Sequence, residues 1–409
     1  MGNIKKILLA YSGGLDTSVS IKWLKERYDA EVITYTANLG QKQNPKEIKD
    51  KAIKTGASKA YVENLEKEFV NEYVFKGFKA NALYENKYPL ATALGRPLIA
   101  KKMVEIAENE EVNAIAHGCT GKGNDQVRFE VGFKSLAPKL KVIAPLRDWE
   151  FKSREEEIEY ALKNNISVSV KKDSPYSIDQ NLWGVSIECG VLEDPWEEPP
   201  EDAYLWTRSF KNTPEEEFKL EIFFENGIPI SINGITMNKV NLIKKLNKIG
   251  GKYGIGRIDL VENRLVGIKS HEIYEAPAAE ILMKAHTAIE ELTLDKESKQ
   301  FKHYVSSKYA ELIYNGLWFS PLRKALDSFI DKTQKVVSGQ VKLVLYKGNC
   351  RVIGRKSSSS LYHYGLATYD KNDIFDHKSA SGFINLWALP IQIANAKKNE
   401  LRADKEVFK

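Results

Sequence analysis

A short apolar run, Ile4–Tyr11, passes directly into Ser12-Gly13-Gly14-Leu15-Asp16-Thr17-Ser18 and then into a segment with apolar residues at Val19, Ile21, Trp23 and Leu24. The run reads as a buried strand and Thr17–Arg27 as a helix, so the polar residues between them form a strand-to-helix loop. Two adjacent glycines let that loop adopt positive φ and bring its backbone close to a ligand. Ser12, Thr17 and Ser18 add hydroxyl groups, and the helix N-terminus offers unpaired N–H groups at the positive end of its dipole. The combination suits a bound phosphate or diphosphate; counted by glycines alone, a tight capped turn fits as well. No G-x-x-x-x-G-K-[ST] occurs in the chain, so this is not a Walker-type loop. No G-x-G-x-x-G follows the first strand, which argues against a Rossmann dinucleotide site.

Alternation continues through the first third. Glu31–Ala37 reads as a second strand and Ala60–Val62 as the start of a third. Pro97 is expected to open a helix with Leu98, Ile99, Met103, Val104 and Ile106 inward, and Asn113–Ala116 and Lys141–Ala144 are further strands. Such a pattern predicts an α/β fold with a doubly wound parallel sheet covered on both faces. A second polar cluster, His117 to Arg128 (HGCTGKGNDQVR), follows the strand NAIA. If the first strand is central and the winding reverses there, both clusters face one crevice at the carboxyl ends of the strands.

The pattern changes near residue 174. Asp194–Asp202 is a proline-rich acidic loop, LEIFFENGIPISING a hairpin turning at Asn226-Gly227, and Val341–Arg355 a second hairpin turning at Lys347-Gly348-Asn349. Helices are expected over Asn238–Ile249 and Ala278–Leu292, which makes this part α+β. The tail from Gly382 begins apolar and ends charged. The expected organisation is therefore 1–173, 174–375 and 376–409.

Lys and Arg number 61 against 55 Asp and Glu, and the mild excess of +6 is spread among acidic residues. It favours anionic ligands weakly and argues against a nucleic-acid partner, which would want a concentrated basic face. Cys119, Cys189 and Cys350 form no C-x-x-C pair, so neither a disulfide framework nor a zinc ribbon is expected. Six histidines lack metal-ligand spacing, and a structural metal is not expected. The apolar run near the start is too short for a signal sequence and none reaches membrane-spanning length, so a cytoplasmic location without a membrane partner is expected.

The segment AYSGGLDTS, Ala10–Ser18, resembles the pyrophosphate loop of the N-type ATP pyrophosphatases. HGCTGKGNDQVRFE, YSIDQNLWG, ECGVLEDPW and GRIDLVENRLVGIKS resemble, in order and spacing, blocks of the argininosuccinate synthase family, from about Ile4 to the region of Gly382. The resemblance implies an adenine-nucleotide α-hydrolase-like first domain, a synthetase domain, and a C-terminal helical arm that builds a homotetramer. It implies a ligase of arginine biosynthesis acting on ATP, citrulline and aspartate, with Mg2+ accompanying ATP and no prosthetic group. The ureido oxygen of citrulline attacks the α-phosphate, diphosphate leaves, and the amine of aspartate then displaces AMP from the citrullyl-adenylate.

Position by position, the resemblance assigns the ATP phosphates to Ala10, Tyr11, Ser12, Gly13, Gly14, Leu15, Asp16, Thr17 and Ser18, with Ala37 and Gly118 at the nucleoside. It assigns citrulline to Tyr88, Asn124, Arg128, Ser177, Ser186, Glu262 and Tyr274, and aspartate to Thr120, Asn124 and Asp125. Asp125 would meet the aspartate ammonium, so Asp125→Ala is expected to spare adenylation more than aspartate capture. No catalytic acid or base is assigned. Ala93 stands where the family carries a hydroxyl, so that one citrulline contact is either lost or moved to Thr92. His271 replaces a usual arginine, Glu275–Ala279 replaces a more glycine-rich stretch, and Pro390 is expected to interrupt the C-terminal helix. Two other readings are a tRNA thiolase, which needs paired activated cysteines, and an inactive adenylate-binding scaffold.

Overall fold

The computed structural model describes residues 4–167 and 175–407, which fall into two compact units, the first ending at Ser359 and the second starting at Ser360. In the first unit β1 (Lys6–Ala10), α1 (Leu15–Tyr28), β2 (Glu31–Asn38), α2 (Pro45–Thr55) and β3 (Lys59–Asn64) follow one another. Then come α3 (Ala91–Asn109), β4 (Ala114–Ala116), α4 (Asn124–Leu136), β5 (Lys141–Ile143) and α5 (Arg154–Lys163). All strand pairs are parallel and the order is β3-β2-β1-β4-β5. Strand β1 is central, and the winding reverses between β1 and β4.

The side-chain period of two explains why β1 is apolar throughout. Leu8 enters one core with Ile33, Tyr35 and Ile115, while Ile7 and Leu9 enter another with Ile21, Trp23 and Leu24. Pro97 does not open its helix: α3 begins at Ala91 and Pro97 lies inside it. Proline removes one N–H, leaving the Ala93 carbonyl without its usual partner, but the helix buries Leu94, Leu98 and Met103, and that packing outweighs one lost bond.

The expected boundary at 173/174 lies outside the described residues. Beyond it run β6 (Ser177–Asn181), β7 (Gly184–Glu188), β8 (Phe218–Glu225), β9 (Ile228–Ile232), β10 (Ile235–Thr236), α6 (Lys239–Lys252), β11 (Arg257–Asn263) and β12 (Lys269–Glu275). Helices α7 (Pro277–Thr293), α8 (Lys296–Tyr314) and α9 (Pro321–Gln334) precede β13 (Gly339–Tyr346) and β14 (Asn349–Lys356). They build two antiparallel sheets, β10-β9-β8-β13-β14 and β11-β12-β7-β6. Asn226 and Gly227 have φ of 48° and 76°, and Lys347 and Gly348 of 46° and 77°, the left-handed pairs of two-residue hairpin turns; Asn349 already opens β14.

The four-stranded sheet is tied to the parallel one. Leu182 N–H donates to the Leu39 carbonyl just beyond β2 (2.9 Å), Trp183 Nε1 to the Pro89 carbonyl (2.9 Å), and Asn181 Nδ2 to the Ala91 carbonyl (2.7 Å). These bonds set β6 and β7 beside the carboxyl ends of the parallel strands. The fold is α/β, a doubly wound parallel sheet joined to an α+β part.

In the second unit, α10 (His377–Val407) runs through Pro390 without a break. The expected interruption does not occur, because one missing donor in the middle of a long helix costs a single bond and leaves the turns on either side intact. Phe383, Leu386, Trp387 and Ile391 on this helix are all exposed.

Candidate active site

A cavity of about 630 Å3 opens at the carboxyl ends of the parallel strands, beside the neighbours β1 and β4 where the winding reverses. Helix α1 begins at Leu15 after Gly14, and α4 begins at Asn124 after Gly123; no side chain caps either end. Ser12, Asp16 and Thr17 line the cavity from the first of these ends, and Gly123, Asn124 and Asp125 from the second. Two uncapped helix N-termini turned toward one space make it a natural seat for anions.

The loop is shaped by its own hydroxyls. Gly13 has φ of +82°, whereas Gly14 is extended at −72°, so only the first glycine needs left-handed backbone. Ser12 and Thr17 hydroxyls bond at 3.1 Å, and Gly14 N–H donates to Ser12 Oγ at 3.3 Å. Lys51 of α2 donates to the Gly13 carbonyl at 2.5 Å, a cation beside the loop that no motif announced. Gly13, Gly14, Leu15 and Ser18 do not line the cavity. Ser18 is buried and bonds the Tyr11 hydroxyl at 3.2 Å, while Leu15 packs toward Val19, Ala161 and Ile166 between α1 and α5. Glu157 of α5 is buried beside Asp16, and that burial, with the Asp16 charge, pushes its carboxyl up to about 8.

The two loops touch. A Cβ on Gly118 would lie 2.8 Å from Thr17 Cγ2. Thr17 is branched at Cβ and its hydroxyl is committed to Ser12, so it cannot turn aside freely. Gly118→Ala is therefore expected to weaken ATP binding by roughly 5- to 30-fold, the equivalent of about 1–2 kcal/mol of overpacking. A nucleotide titration measures this, and unchanged affinity would show that the contact between the loops is not needed.

All the remaining residues assigned from the sequence, from Ala10 and Ala37 to Glu262 and Tyr274, line this one cavity. The antiparallel sheet accounts for several of them. Asp179, Ser186 and Tyr274 are register partners across β6, β7 and β12, and period two puts Ser177, Glu188 and Glu272 on the same face. Tyr88 stacks on Tyr274 at 4.0 Å between ring centroids, with its hydroxyl accepting from Thr92 N–H. Ala93 is buried and turned away, while Thr92 lines the cavity and bonds the Ser186 hydroxyl at 3.0 Å. His271 is not among the lining residues: its ring bonds the Leu192 carbonyl (2.8 Å) and Asp259 (3.2 Å). Glu275 is fully buried and accepts from the N–H groups of Leu205, Trp206 and Thr207, anchoring the chain next to Tyr274.

Arg96 is another lining residue that sequence reasoning missed. Its guanidinium reaches Asp125 Oδ2 (Nη2 at 2.6 Å, Nε at 2.8 Å) and also Asp179. Its only announcement in the sequence is a lone charge within the apolar stretch Ala91–Ala100. Arg128 donates from Nη1 to Asp125 Oδ1 (2.9 Å) and from Nε to the Tyr314 carbonyl (2.9 Å), and lies over the Tyr314 ring. Its Nη2 is buried and has no partner among the described residues. A buried guanidinium nitrogen left without a partner is costly. Burial alone would raise Asp125, but Arg96 and Arg128 hold its carboxyl down to about 2.

Asn124 is pinned: its oxygen accepts from Leu265 N–H (2.9 Å), and its nitrogen donates to Tyr314 Oη (2.8 Å) and approaches Glu262 (3.4 Å). Glu262 is buried, and that burial, with Glu272 beside it, lifts its carboxyl to about 7. Cys119 lines the cavity too, but burial pushes its thiol far above the ordinary range, and burial also raises Cys189. Neither is a ready nucleophile, which argues against thiolation chemistry.

Comparison with known proteins identifies a family. The family model described as the Arginosuccinate synthase N-terminal HUP domain matches residues 6–167, and that described as the Arginosuccinate synthase C-terminal domain matches residues 176–394. An argininosuccinate synthase from Pelodictyon phaeoclathratiforme is 59% identical over 388 residues, covering 95% of this chain and 97% of that one. One from Dictyoglomus thermophilum is 58% identical over 385 residues, covering 94% and 96%. Among solved structures, a U34-tRNA thiolase from Methanococcus maripaludis covers 43% of this chain and 62% of its own at 20% identity and a TM-score of 0.28, a likeness too slight to carry an argument.

Proposed function

The chain belongs to the argininosuccinate synthase family, whose members ligate citrulline to aspartate with ATP, and from that premise we propose how its cavity is divided among the three substrates. The ATP phosphates rest against the loop from Ser12 to Thr17 and the open end of α1, with the nucleoside against the backbone of Ala37 and Gly118. Citrulline lies against Tyr88 and Tyr274, with Ser177, Ser186 and Glu262 around its amino-acid end and Arg128 Nη2 turned to an acceptor. Aspartate occupies the side of Thr120 and Asp125, and the Arg96 fork, which suits a carboxylate, joins that set.

The observation that carries this division is that Arg128, whose buried Nη2 has no partner among the described residues, lines the same cavity as Ser12, Asp16 and Thr17. A ureido carbonyl is a poor electrophile, and transfer of its oxygen to the α-phosphate gives the carbon an AMP leaving group. Backbone N–H groups at the start of α1 stabilise the departing diphosphate. The Asp16 carboxylate and the Ser12 and Thr17 hydroxyls are hard oxygen donors that fit Mg2+ arriving with ATP. When bound, the ion neutralises charge on the diphosphate. Aspartate then attacks the activated carbon, forming the C–N bond as the C–O bond to AMP breaks.

We keep the functional division at 1–173, 174–375 and 376–409. The exposed apolar residues of α10 support its reading as an arm that packs on other copies in a homotetramer. No helix among the described residues is long and apolar enough to cross a membrane, and a cytoplasmic location is part of this proposal.

Exchange of labelled diphosphate into ATP tests the order of events. Exchange is expected with ATP and citrulline alone, and argininosuccinate only after aspartate is added. Exchange that ignored citrulline, or that required aspartate, would overturn the division of the cavity.

A further inference from the structure

We infer that, without substrate, the citrulline half of the cavity stores one proton between Glu262 and Glu272, and that a substrate ammonium group expels it on binding. Glu272 thereby becomes a positioning residue acting through Tyr274. The inference rests on the reading of Glu262 as a citrulline contact.

The Tyr274 hydroxyl lies within hydrogen-bond distance of Glu262 Oε2 and, at 2.8 Å, of Glu272 Oε2. A hydroxyl has one proton. It can donate to one of these oxygens, and the other must then donate to it or face it lone pair to lone pair. The second oxygen of Glu262 needs no proton, since Tyr314 donates to it while accepting from Asn124 at 2.8 Å. The second oxygen of Glu272 takes Arg264, from Nη2 at 2.8 Å and Nε at 3.3 Å, and Arg264 also reaches Glu188.

Among the described residues no guanidinium bonds Glu262. Arg128 gives its Nη1 to Asp125 and its Nε to the Tyr314 carbonyl. Tyr84 stacks behind Tyr314 and Tyr88 behind Tyr274, adding burial without charge. Two arrangements leave no lone pairs opposed, with the shared proton on Glu262 or on Glu272; Arg264 bonds Glu272 alone of the two, which favours the chain from a neutral Glu262 to the Tyr274 oxygen and from the Tyr274 proton to Glu272. The direction of the Glu262 shift agrees: burial first and Glu272 second raise it to about 7, against smaller opposing effects from Tyr274, Tyr314 and Arg128.

An ammonium group needs the ionised form of Glu262, so the proton leaves to solvent as citrulline enters. Affinity should then rise with pH through about 7 and level off above it.

Calorimetric titration of citrulline tests this, with the protein saturated in α,β-methylene-ATP and Mg2+, at pH 6 and 8.5, in pairs of buffers of unlike ionisation enthalpy. Release approaching one proton per citrulline is expected at pH 6 and almost none at pH 8.5, with Kd about tenfold tighter at the higher pH. Glu272→Gln should bind citrulline at pH 6 without releasing a proton, because its amide donates to Tyr274 and leaves Glu262 ionised. Wild-type binding at pH 6 with no release overturns the stored proton and leaves the citrulline assignment standing; this arm needs no variant to fold. Release that persists in Glu272→Gln overturns the part given to Glu272. If Glu262→Gln bound citrulline as tightly as wild type, the citrulline assignment itself would fall.

Discussion

Arg128→Ala is expected to cut citrulline-dependent diphosphate exchange by roughly 100- to 1,000-fold, the equivalent of about 3–4 kcal/mol. Three things fall with this side chain: the bond to Asp125, the bond to the Tyr314 carbonyl, and the buried Nη2 that no described residue satisfies. The first two hold the guanidinium plane in place, and the third is the only one a ligand can complete. Arg128→Lys keeps the charge but not the planar fork, and a single ammonium cannot serve all three directions. It should recover no more than about tenfold of the loss, with the deficit concentrated in KM for citrulline. ATP affinity should change little in either variant, since the bonds of Arg128 run to Asp125 and Tyr314 and not to the loop at Ser12–Thr17. Exchange rates and nucleotide titration measure the two effects separately. Wild-type exchange in Arg128→Ala would show that citrulline does not use this nitrogen.

Asp125→Ala is the second large effect, and here the structure changes the expectation. The family resemblance makes Asp125 a partner for the aspartate ammonium, so that its loss should spare adenylation. In the folded chain Asp125 also stands between Arg96 and Arg128 and accepts from both. Removing it leaves two neighbouring guanidinium groups in a largely desolvated place without their shared counter-charge, and they repel. Both half-reactions are expected to drop by roughly 30- to 300-fold, about 2–3.5 kcal/mol each. Asp125→Asn, which keeps the shape and two polar atoms, should be milder.

The same geometry has a signature in stability. Since the two arginines hold the carboxyl near 2, below its ordinary 3.8, the ion pair stabilises the fold fully above about pH 4. That contribution is lost as pH falls from about 4 toward 2. Acid unfolding of Asp125→Asn should lack this component. Diphosphate exchange and product formation, assayed side by side, decide the kinetic question. Intact exchange with lost product formation would mean that Arg128 keeps its place without Asp125.

The strand, loop and helix around Gly13 and Gly14 were legible because their signals are local: an apolar run, two glycines, then a helical period. The same holds for the hairpin turns, where Asn-Gly and Lys-Gly supply the left-handed backbone. Pro97 was expected to open a helix and Pro390 to interrupt one, and both lie inside helices. Each expectation weighs one missing hydrogen bond, while α3 is held by burial and α10 by the length of helix on either side. Arg96 escaped notice because a single arginine in an apolar helix has no motif. Its meaning lies in Asp125 and Asp179, which are 29 and 83 residues away. Ser18, counted among the loop donors, turned out to be spent on Tyr11, since the first turn of α1 points that side of the helix into the core.

By itself the amino-acid sequence determined the layered α/β half, the glycine-containing strand-to-helix loop and the kinship to a family of ligases, because periodicity and contiguous motifs act over a few residues. The tertiary structure alone decided which hydroxyls and charges are free. That depends on how β6, β7, β11 and β12 register against one another and dock beside β2. Their packing removes water from Glu262, Asp125 and Arg128, and only in such a desolvated place does one missing partner or one shared proton govern what binds.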